Sequence, residues 1–161
     1  MKCRERLESY LRQQDVAFDV QGHHTAFTAQ EVAQTEHIPG KLVAKSVVAW
    51  ADGQLILLVL PATHRVDLTR LNEAIGATAT RLAHEEEFVD TFPDCEVGAI
   101  PPFGNLYDLP VYVDKNLADD ETIVFPAGAH TETMSLRYQD YARLVEPTLV
   151  EFAAHRVTAT P

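Results

Sequence analysis

The chain has 161 residues, 13 basic and 24 acidic side chains, and a formal charge of −11. Hydrophobic residues make up 46% and charged residues 23%, a balance typical of a globular domain and unlike a disordered chain. At this length we expect one domain, residues 1–161, with one sizeable core. The longest strongly apolar run, Leu55–Leu60, is far shorter than the ~20 residues of a membrane span. The charged N-terminus leads into no apolar segment, so we expect no signal peptide, no membrane contact and a cytoplasmic protein.

Charge is distributed unevenly along the chain. Residues 1–80 carry 8 basic and 9 acidic groups, whereas residues 81–161 carry 5 and 15. Such an acidic surface repels phosphate, which argues against a protein that coats nucleic acid without sequence preference. Any contact with nucleic acid is expected to be weak and to use the basic residues of the first half. These are Lys2, Arg4, Arg6, Arg12, Lys41, Lys45, Arg65 and Arg70.

The first elements follow from hydrophobic spacing and turn residues. Leu7, Tyr10 and Leu11 recur at helical spacing, and an extended stretch follows around residues 16–20. Thr28-Ala-Gln-Glu31 fits a capping box, which predicts a helix that ends before Pro39.

A β-hairpin is the clearest local prediction. Leu42–Ala51 and Gln54–Leu60 are β-rich runs joined by Asp52-Gly53, a dipeptide typical of a two-residue type I′ turn. Asp67 then caps a helix that Gly76 ends.

The second half predicts an acidic helix start, then strands, then two helical segments. Glu85–Glu87 fit the first turn of a helix that buries Phe88, Val89 and Phe92 and ends at Pro93. Short strands are predicted at 111–114, 122–125 and 133–136, and helical segments around Tyr141–Val145 and at 149–153. Hairpins and closely spaced strands favour an α+β fold, a central mixed and mostly antiparallel sheet flanked by helices.

Lys45 stands out on the first strand of the hairpin. Alternation puts it on one face with Val43, Val47 and Ala49, where an ammonium group is costly to desolvate unless an anionic or carbonyl group meets it. The alternative is an edge-strand lysine that blocks aggregation, since lysine side chains readily extend to solvent.

Two glycine-containing loops are further candidates. Two prolines stiffen Ile100-Pro-Pro-Phe-Gly104, and its glycine permits a turn beside an aromatic side chain. In Gly128-Ala129-His130, a glycine with positive φ would let backbone N–H groups approach a ligand, and the histidine can donate or accept a proton. Each loop taken alone is better explained as structural.

Other chemistries find little support in the sequence. His23 and His24 are adjacent, so on a strand they point to opposite faces, and we expect neither a metal nor a cofactor. Cys3 and Cys95 lack metal spacing and a nucleophile setting, and we expect free, buried thiols. Phosphate-binding glycine loops and the Gly-x-Ser-x-Gly elbow of serine hydrolases are both missing from the sequence.

Several short motifs, in this order, resemble the YbaK/prolyl-tRNA-synthetase-associated editing domain family. They are His24 followed by Thr28–Ala33, Leu42–Val48, Val97–Gly104, Leu109–Asp114 and Phe125–His130. The resemblance runs from about Leu7 to Val145. It implies a compact α+β fold and hydrolysis of an amino acid wrongly attached to tRNA, usually proline tRNA carrying alanine or cysteine.

The resemblance also assigns roles to residues of this chain. Lys45 matches the essential lysine of the family, and His130 belongs to the Gly-x-His loop of alanine-clearing members, so these two are the expected catalytic residues. Substrate contacts are expected from His24, Gly98, Pro102, Phe103, Gly104, Gly128 and Ala129. The implied partners are mischarged tRNA, bound weakly and in a salt-dependent manner, and a prolyl-tRNA synthetase.

A mechanism follows from these assignments. An ester needs little activation, so positioning and stabilisation of the developing oxyanion suffice. Lys45 would orient the carbonyl or the terminal phosphate, and backbone N–H groups near Gly128 and Ala129 would bind the aminoacyl end. His130 would position a water molecule or a ribose hydroxyl. Two alternatives stay open: a non-catalytic module that binds an aminoacyl-like ligand or a synthetase, and a hydrolase of another small ester.

Overall fold

The structure, a computed structural model, describes residues 2–22, 43–119, 121–129 and 131–155. Of residue 155 it describes the backbone alone. The predicted capping box at Thr28 and the His23-His24 pair lie outside the described residues. The helices are α1 (Cys3–Gln13), α2 (Leu68–Ile75), α3 (Glu85–Phe88), α4 (Lys115–Ala118) and α5 (Tyr138–Val145), with a 3₁₀ turn at Gly104–Leu106. The strands are β1 (Asp19–Gly22), β2 (Ala44–Ala51), β3 (Gln54–Pro61), β4 (His64–Val66), β5 (Thr80–Leu82), β6 (Val111–Asp114), β7 (Thr122–Pro126), β8 (Glu132–Arg137), β9 (Thr148–Val150) and β10 (Ala153–His155).

The strands form a central mixed sheet and two smaller antiparallel sheets. The central sheet has the order β5-β2-β3-β6-β9, in which β3, β6 and β9 run parallel and the other pairs are antiparallel. The order β1-β8-β7 makes a three-stranded sheet, and β4 pairs with β10. A parallel bridge between Val43 and Val124 connects the first two sheets. The predicted α+β class, with a mixed sheet flanked by helices, is confirmed.

Apolar side chains pack on both faces of the central sheet. On one face, Leu57 and Val59 of β3 pack with Ile123 and Phe125 of the three-stranded sheet, and α1 and α5 close this main core. On the other face, the alternate residues of β3 pack against Leu71 of α2 and against Phe152. A strand buried on both faces reads as a continuous apolar run, which is why residues 55–60 are uninterrupted.

The predictions made for the Asp52-Gly53 turn and for the two ends of α2 are confirmed. Asp52 and Gly53 have φ values of 48° and 87°, as a type I′ hairpin turn requires. The Asp67 side chain accepts hydrogen bonds from the N–H groups of Thr69 and Arg70 at the start of α2. Gly76 ends that helix in the left-handed conformation.

Two predictions in the second half are wrong. Val89 is 43% exposed, because α3 ends at Phe88 and only Phe88 and Phe92 of this segment are buried. Residues 149–153 form no helix: β9 adds to the sheet edge beside β6, and β10 pairs with β4. The free edge of β6 offers backbone hydrogen bonds to β9, and β4 offers them to β10, so this segment is extended instead of helical.

The cysteines also depart from expectation. Cys3 at the start of α1 and Cys95 form a disulfide whose Cα atoms are 5.3 Å apart, although 92 positions separate them in the chain. Such a pairing depends on tertiary contact and has no local sequence pattern. None of the described helices is long and apolar enough to cross a membrane.

Candidate active site

Lys45 lies near the start of β2, on the face that the alternation predicted. It pairs across the hairpin with Leu60, and Val47 and Ala49 further along the same face pack with the second apolar cluster. Its side chain is partly buried. On its other side β2 pairs with β5 only from Ala49 onwards. An ammonium group is thus held on an otherwise apolar strand face.

The bridge between Val43 and Val124 relates Lys45 to the end of β7. Val43 and Val124 pack in the same small cluster, so they point to the same side of the two strands. Lys45 is two residues beyond Val43 and shares its face. Because the two segments run parallel at the bridge, β7 continues past Val124 in the direction of Lys45 and then enters the turn at Gly128.

A cavity of about 370 Å³ lies on the outer face of the three-stranded sheet. Val124 forms part of its wall, so the cavity opens on the side to which Lys45 points. Both Asp19 and Val124 pair with Ser135, which puts polar and apolar side chains on this one face. The lining residues are Asp19, Val20, Gln21, Val124, Thr133, Met134 and Ser135.

Two hydrogen bonds join the Gly128 turn to the proline-containing loop (residues 98–104) and to the segment that leads into it. Gly128 has φ of +94°, and its N–H donates to the carbonyl oxygen of Ala99 at 2.8 Å. Its own carbonyl oxygen accepts from the N–H of Glu96, also at 2.8 Å. The N–H of Gly128 is therefore already engaged. The N–H of Ala129 has no hydrogen-bond partner among the described residues.

The loop at 98–104 is fixed from beneath by α5. Gly98 is exposed and has φ of +84°, and it begins the segment. Tyr141 is completely buried and its hydroxyl donates to the carbonyl oxygen of Pro102 at 2.7 Å. Burial raises the pKa of Tyr141 well above its ordinary value, so the hydroxyl keeps its proton and remains a donor.

Two of the residues expected to contact the substrate, Phe103 and Gly104, are packed in the core. Phe103 is completely buried, with its ring centroid 5.6 Å from that of Phe125 and 5.3 Å from that of Tyr141. Gly104 is buried too, and a Cβ there would lie 2.6 Å from a methyl group of Val111. Both residues belong to the packing that positions the loop. The Phe103 ring gains free energy from its burial, and Gly104 leaves room for Val111.

The structure brings part of the predicted site together. The Gly98–Pro102 segment and the Gly128-Ala129 turn are joined, and Lys45 lies on the face beside the end of β7. His24 and His130 lie outside the described residues. The described residues contain no group of three or more histidine, cysteine or acidic side chains that could hold a metal ion.

The basic side chains of α1 are largely used within the domain. Arg4 and Arg12 lie 3.3 and 3.5 Å from the carboxylate of Glu8, and Arg6 donates to the carbonyl oxygen of Leu106 at 2.6 Å. Each of these guanidinium groups has a partner within the domain, and the side chain of Arg12 is still 70% exposed. Arg65, on β4, is exposed.

Sequence reasoning missed Tyr141 and the cysteine pair as parts of the site. Tyr141 was recognisable as the buried face of a helix, but its hydroxyl partner is 39 residues away. Cys3 packs directly beneath Gly128, where a Cβ on the glycine would lie 2.5 Å from the Cβ of Cys3. No short-range pattern reports either contact.

Known proteins resemble this chain in sequence and in fold. The Escherichia coli (strain K12) multifunctional Ser/Thr-tRNA deacylase ProXp-y is 31% identical over 153 residues, which cover 92% of this chain and 91% of that protein. A proline–tRNA ligase of Bacillus mycoides (strain KBAB4) is 28% identical over 89 residues, 55% of this chain and 16% of the ligase. The crystal structure of a candidate trans-editing enzyme for prolyl tRNA synthetase has a TM-score of 0.83 at 20% identity, covering 96% of this chain and 98% of that one.

The family match and the E. coli relative define the class of the protein, a hydrolase of ester bonds. Residues 23–144 match the aminoacyl-tRNA editing domain. The chain belongs to this family, and its activity is the deacylation of aminoacyl-tRNA.

Proposed function

We propose that the chain acts in trans, in the cytoplasm, on proline tRNA mischarged with alanine or cysteine. The observation that carries this proposal is Lys45, a partly buried ammonium on an apolar strand face, on the same side of the strands as Val124, which lines a cavity. Such a placement is hard to explain by stability, since an apolar side chain there avoids the cost of desolvation. The likeness to proline–tRNA ligase and to a candidate prolyl trans-editing enzyme supports the choice of tRNA.

In the proposed mechanism, Lys45 meets the negative charge of the substrate. Its compact ammonium group orients the ester carbonyl or the terminal phosphate and stabilises the oxyanion that develops on attack. The Ala129 N–H binds the aminoacyl end, a role that Gly128 cannot share because its N–H donates to Ala99. His130 positions a water molecule or a ribose hydroxyl for attack.

Serine or threonine is a second candidate for the amino acid removed. The E. coli relative, 31% identical over nearly the whole chain, is a Ser/Thr-tRNA deacylase. The cavity beside β7 is lined by polar groups of Asp19, Gln21 and Ser135, which could hydrogen-bond the hydroxyl of such a side chain. A site that bonds a hydroxyl rejects an analogue lacking it more strongly than an apolar pocket rejects an extra methyl group.

The test is deacylation by the purified chain of a panel of charged tRNAs. The panel comprises proline tRNA carrying alanine, cysteine or proline, together with Ser- and Thr-charged tRNA. We expect hydrolysis of at least one mischarged species and none of Pro-tRNA. Lys45→Ala is expected to lose this activity, and Lys115→Ala, which removes an exposed lysine at the start of α4, is the matched control.

Other outcomes identify the alternatives. Binding of a mischarged tRNA without turnover would favour a non-catalytic module, and adding prolyl-tRNA synthetase would then show whether a complex forms. Turnover of small esters with an inactive tRNA panel would favour a hydrolase of another substrate.

A further inference from the structure

The cysteine pair lies directly beneath the candidate site. Cys3 is the first residue of α1, and Cys95 belongs to the segment that leads into the proline-containing loop. Their Cα atoms are 5.3 Å apart, within the range of about 4.4–6.8 Å that a disulfide requires. The Tyr107 hydroxyl contacts both sulfur atoms, at 3.6 Å from Cys3 Sγ and 3.4 Å from Cys95 Sγ. The two cysteines are thus held together from separate parts of the chain.

The disulfide constrains Gly128 from two sides. Cys3 packs against it so closely that an added Cβ would lie 2.5 Å from Cys3 Cβ and 2.6 Å from Cys3 Sγ. On the other side, Glu96, the residue after Cys95, donates its N–H to the Gly128 carbonyl oxygen at 2.8 Å. Closing the disulfide therefore fixes both neighbours of the Gly128 turn at once.

Reduction must disturb this arrangement. Two thiol groups repel each other at the sulfur separation of a disulfide, so the sulfur atoms must move apart when the bond is broken. Cys3 has no room to move towards Gly128. The displacement must be taken up by the turn itself or by the segment of Cys95 and Glu96, whose hydrogen bond holds the turn.

We propose that Cys3 and Cys95 form a reversible disulfide that controls the order of the Gly128-Ala129 turn, and through it the deacylation rate; the second part rests on the proposed function. The oxidant is a low-molecular-weight disulfide. A cysteine thiolate attacks it and releases one small thiolate, leaving a mixed disulfide on the protein. The thiolate of the second cysteine then attacks the Sγ atom of the first cysteine in this mixed disulfide and releases the other small thiolate. Two protein thiols are oxidised and one small disulfide is reduced to two thiols.

Small reagents can reach the disulfide at Cys95, whereas Cys3 itself is buried. Cys95 is partly exposed. Cys3 borders a cavity of about 410 Å³ that also touches Gly128 and Ala129. A bond accessible to small thiols exchanges with the surrounding thiol pool, and such accessible disulfides are the labile and regulatory ones.

The first measurement follows the bond itself. The full chain is equilibrated at a series of ratios of reduced to oxidised glutathione, and free thiols are counted by alkylation and mass. We expect one reversible transition, from two free thiols per chain at the reduced end to no free thiols at the oxidised end. No glutathione adduct is expected at the oxidised end. Reduction should lower the melting temperature by roughly 10 °C, because the bond closes a long loop. Free thiols that persist at the oxidised end would overturn the proposal.

The second measurement follows the turn without relying on activity. Amide hydrogen exchange is compared between the oxidised and reduced chain. We expect at least tenfold faster exchange on reduction at the N–H groups of Gly128 and Glu96, and little change at the core strand residues Leu57 and Leu58. Equal exchange at Gly128 in the two states would overturn the proposal even if the bond forms.

The third measurement follows the reaction. We expect the rate constant kcat/KM for the mischarged tRNA cleaved fastest to fall at least threefold on reduction. The double variant Cys3→Ser/Cys95→Ser is expected to have the kcat/KM of the reduced chain, and this value should not change with the glutathione ratio. A response of that variant to glutathione would overturn control by this disulfide. If no charged tRNA is cleaved in either state, the proposed function fails while hydrogen exchange still decides whether the disulfide orders the turn.

Discussion

The backbone N–H of Gly128 donates a hydrogen bond of 2.8 Å to the carbonyl oxygen of Ala99. This one bond joins the turn after β7 to the proline-containing loop, 29 positions earlier in the chain. Because each segment has little regular structure of its own, their mutual bond makes them one unit. Substitutions in either loop are therefore expected to act on the other.

Gly128→Ala is expected to damage the site more than Ala129→Ser. At φ of +94° any Cβ is strained, and this one would lie 2.5 Å from the Cβ of Cys3. We expect Gly128→Ala to lower stability by about 1–3 kcal/mol and deacylation by at least tenfold. Urea unfolding and deacylation rates for the two variants test this. Equal rates in both variants would mean that the backbone of this turn is not used.

Lys45→Ala is expected to leave the fold intact while deacylation falls by about a hundredfold or more. The loss of one well-placed group that stabilises an oxyanion typically costs about 3 kcal/mol of transition-state stabilisation. Lys45→Arg should rescue little, because guanidinium is longer, planar and forked. The measurements are hydrolysis of the charged tRNA panel and thermal melts.

Lys115→Ala serves as the control for Lys45→Ala, since that side chain is exposed and lies on α4. If Lys45→Ala melts normally and hydrolyses at the wild-type rate, Lys45 has no catalytic role.

Glu87 is expected to contribute to acid stability. Arg81 donates two hydrogen bonds to its carboxylate, at 2.8 and 2.6 Å, and with the N–H of His84 these lower the pKa of Glu87 to about 2 from 4.5. A lowered folded-state pKa stabilises the fold above the unfolded-state pKa, and that contribution is lost as pH falls from about 4.5 towards 2. The effect is small because the pair is exposed to solvent and salt.

Melting temperatures measured from about pH 6 down to about pH 2.5 test this assignment, because this range begins above the unfolded-state pKa of 4.5 and covers most of the fall towards 2. Glu87→Gln should reduce the dependence on pH in the acid range, and Glu86→Gln, an exposed neighbour, should not. Parallel curves for Glu87→Gln and the wild type would contradict the pKa assignment.

Binding to tRNA is expected to be weak and strongly salt-dependent, given a net charge of −11. Replacing a phosphate-facing cation should reduce the slope of log affinity against log salt by about one. Arg65→Gln tests this at an exposed cation, and Arg12→Gln is the control, because Arg12 pairs with Glu8. A tight complex insensitive to salt would contradict this expectation.

Tyr141→Phe is expected to loosen the proline-containing loop. It leaves the carbonyl oxygen of Pro102 buried without its donor, which costs about 1–3 kcal/mol. If the loop positions the substrate, KM should rise several-fold while kcat changes less. Unfolding in urea and deacylation kinetics separate the two effects, and a stability loss with unchanged KM would assign Tyr141 to the core alone.

Local chemistry made much of this fold predictable from the sequence. The Asp52-Gly53 turn, the Asp67 cap and Gly76 each depend on residues within a few positions, so a short window contains all the information. Residues 149–153 were mispredicted because their strand pairing depends on β6 and β4, which are remote in sequence. A segment of that length adopts whichever structure its neighbours can hydrogen-bond.

The sequence by itself determined the α+β class, the position of Lys45 on an apolar strand face and the family resemblance. Only the tertiary structure decided which loops meet. It buried Phe103, joined Gly128 to Ala99, and paired Cys3 with Cys95 across 92 positions. The physical reason is range: turn and capping energies are local, whereas packing and long-range hydrogen bonds exist only after the chain has closed its loops.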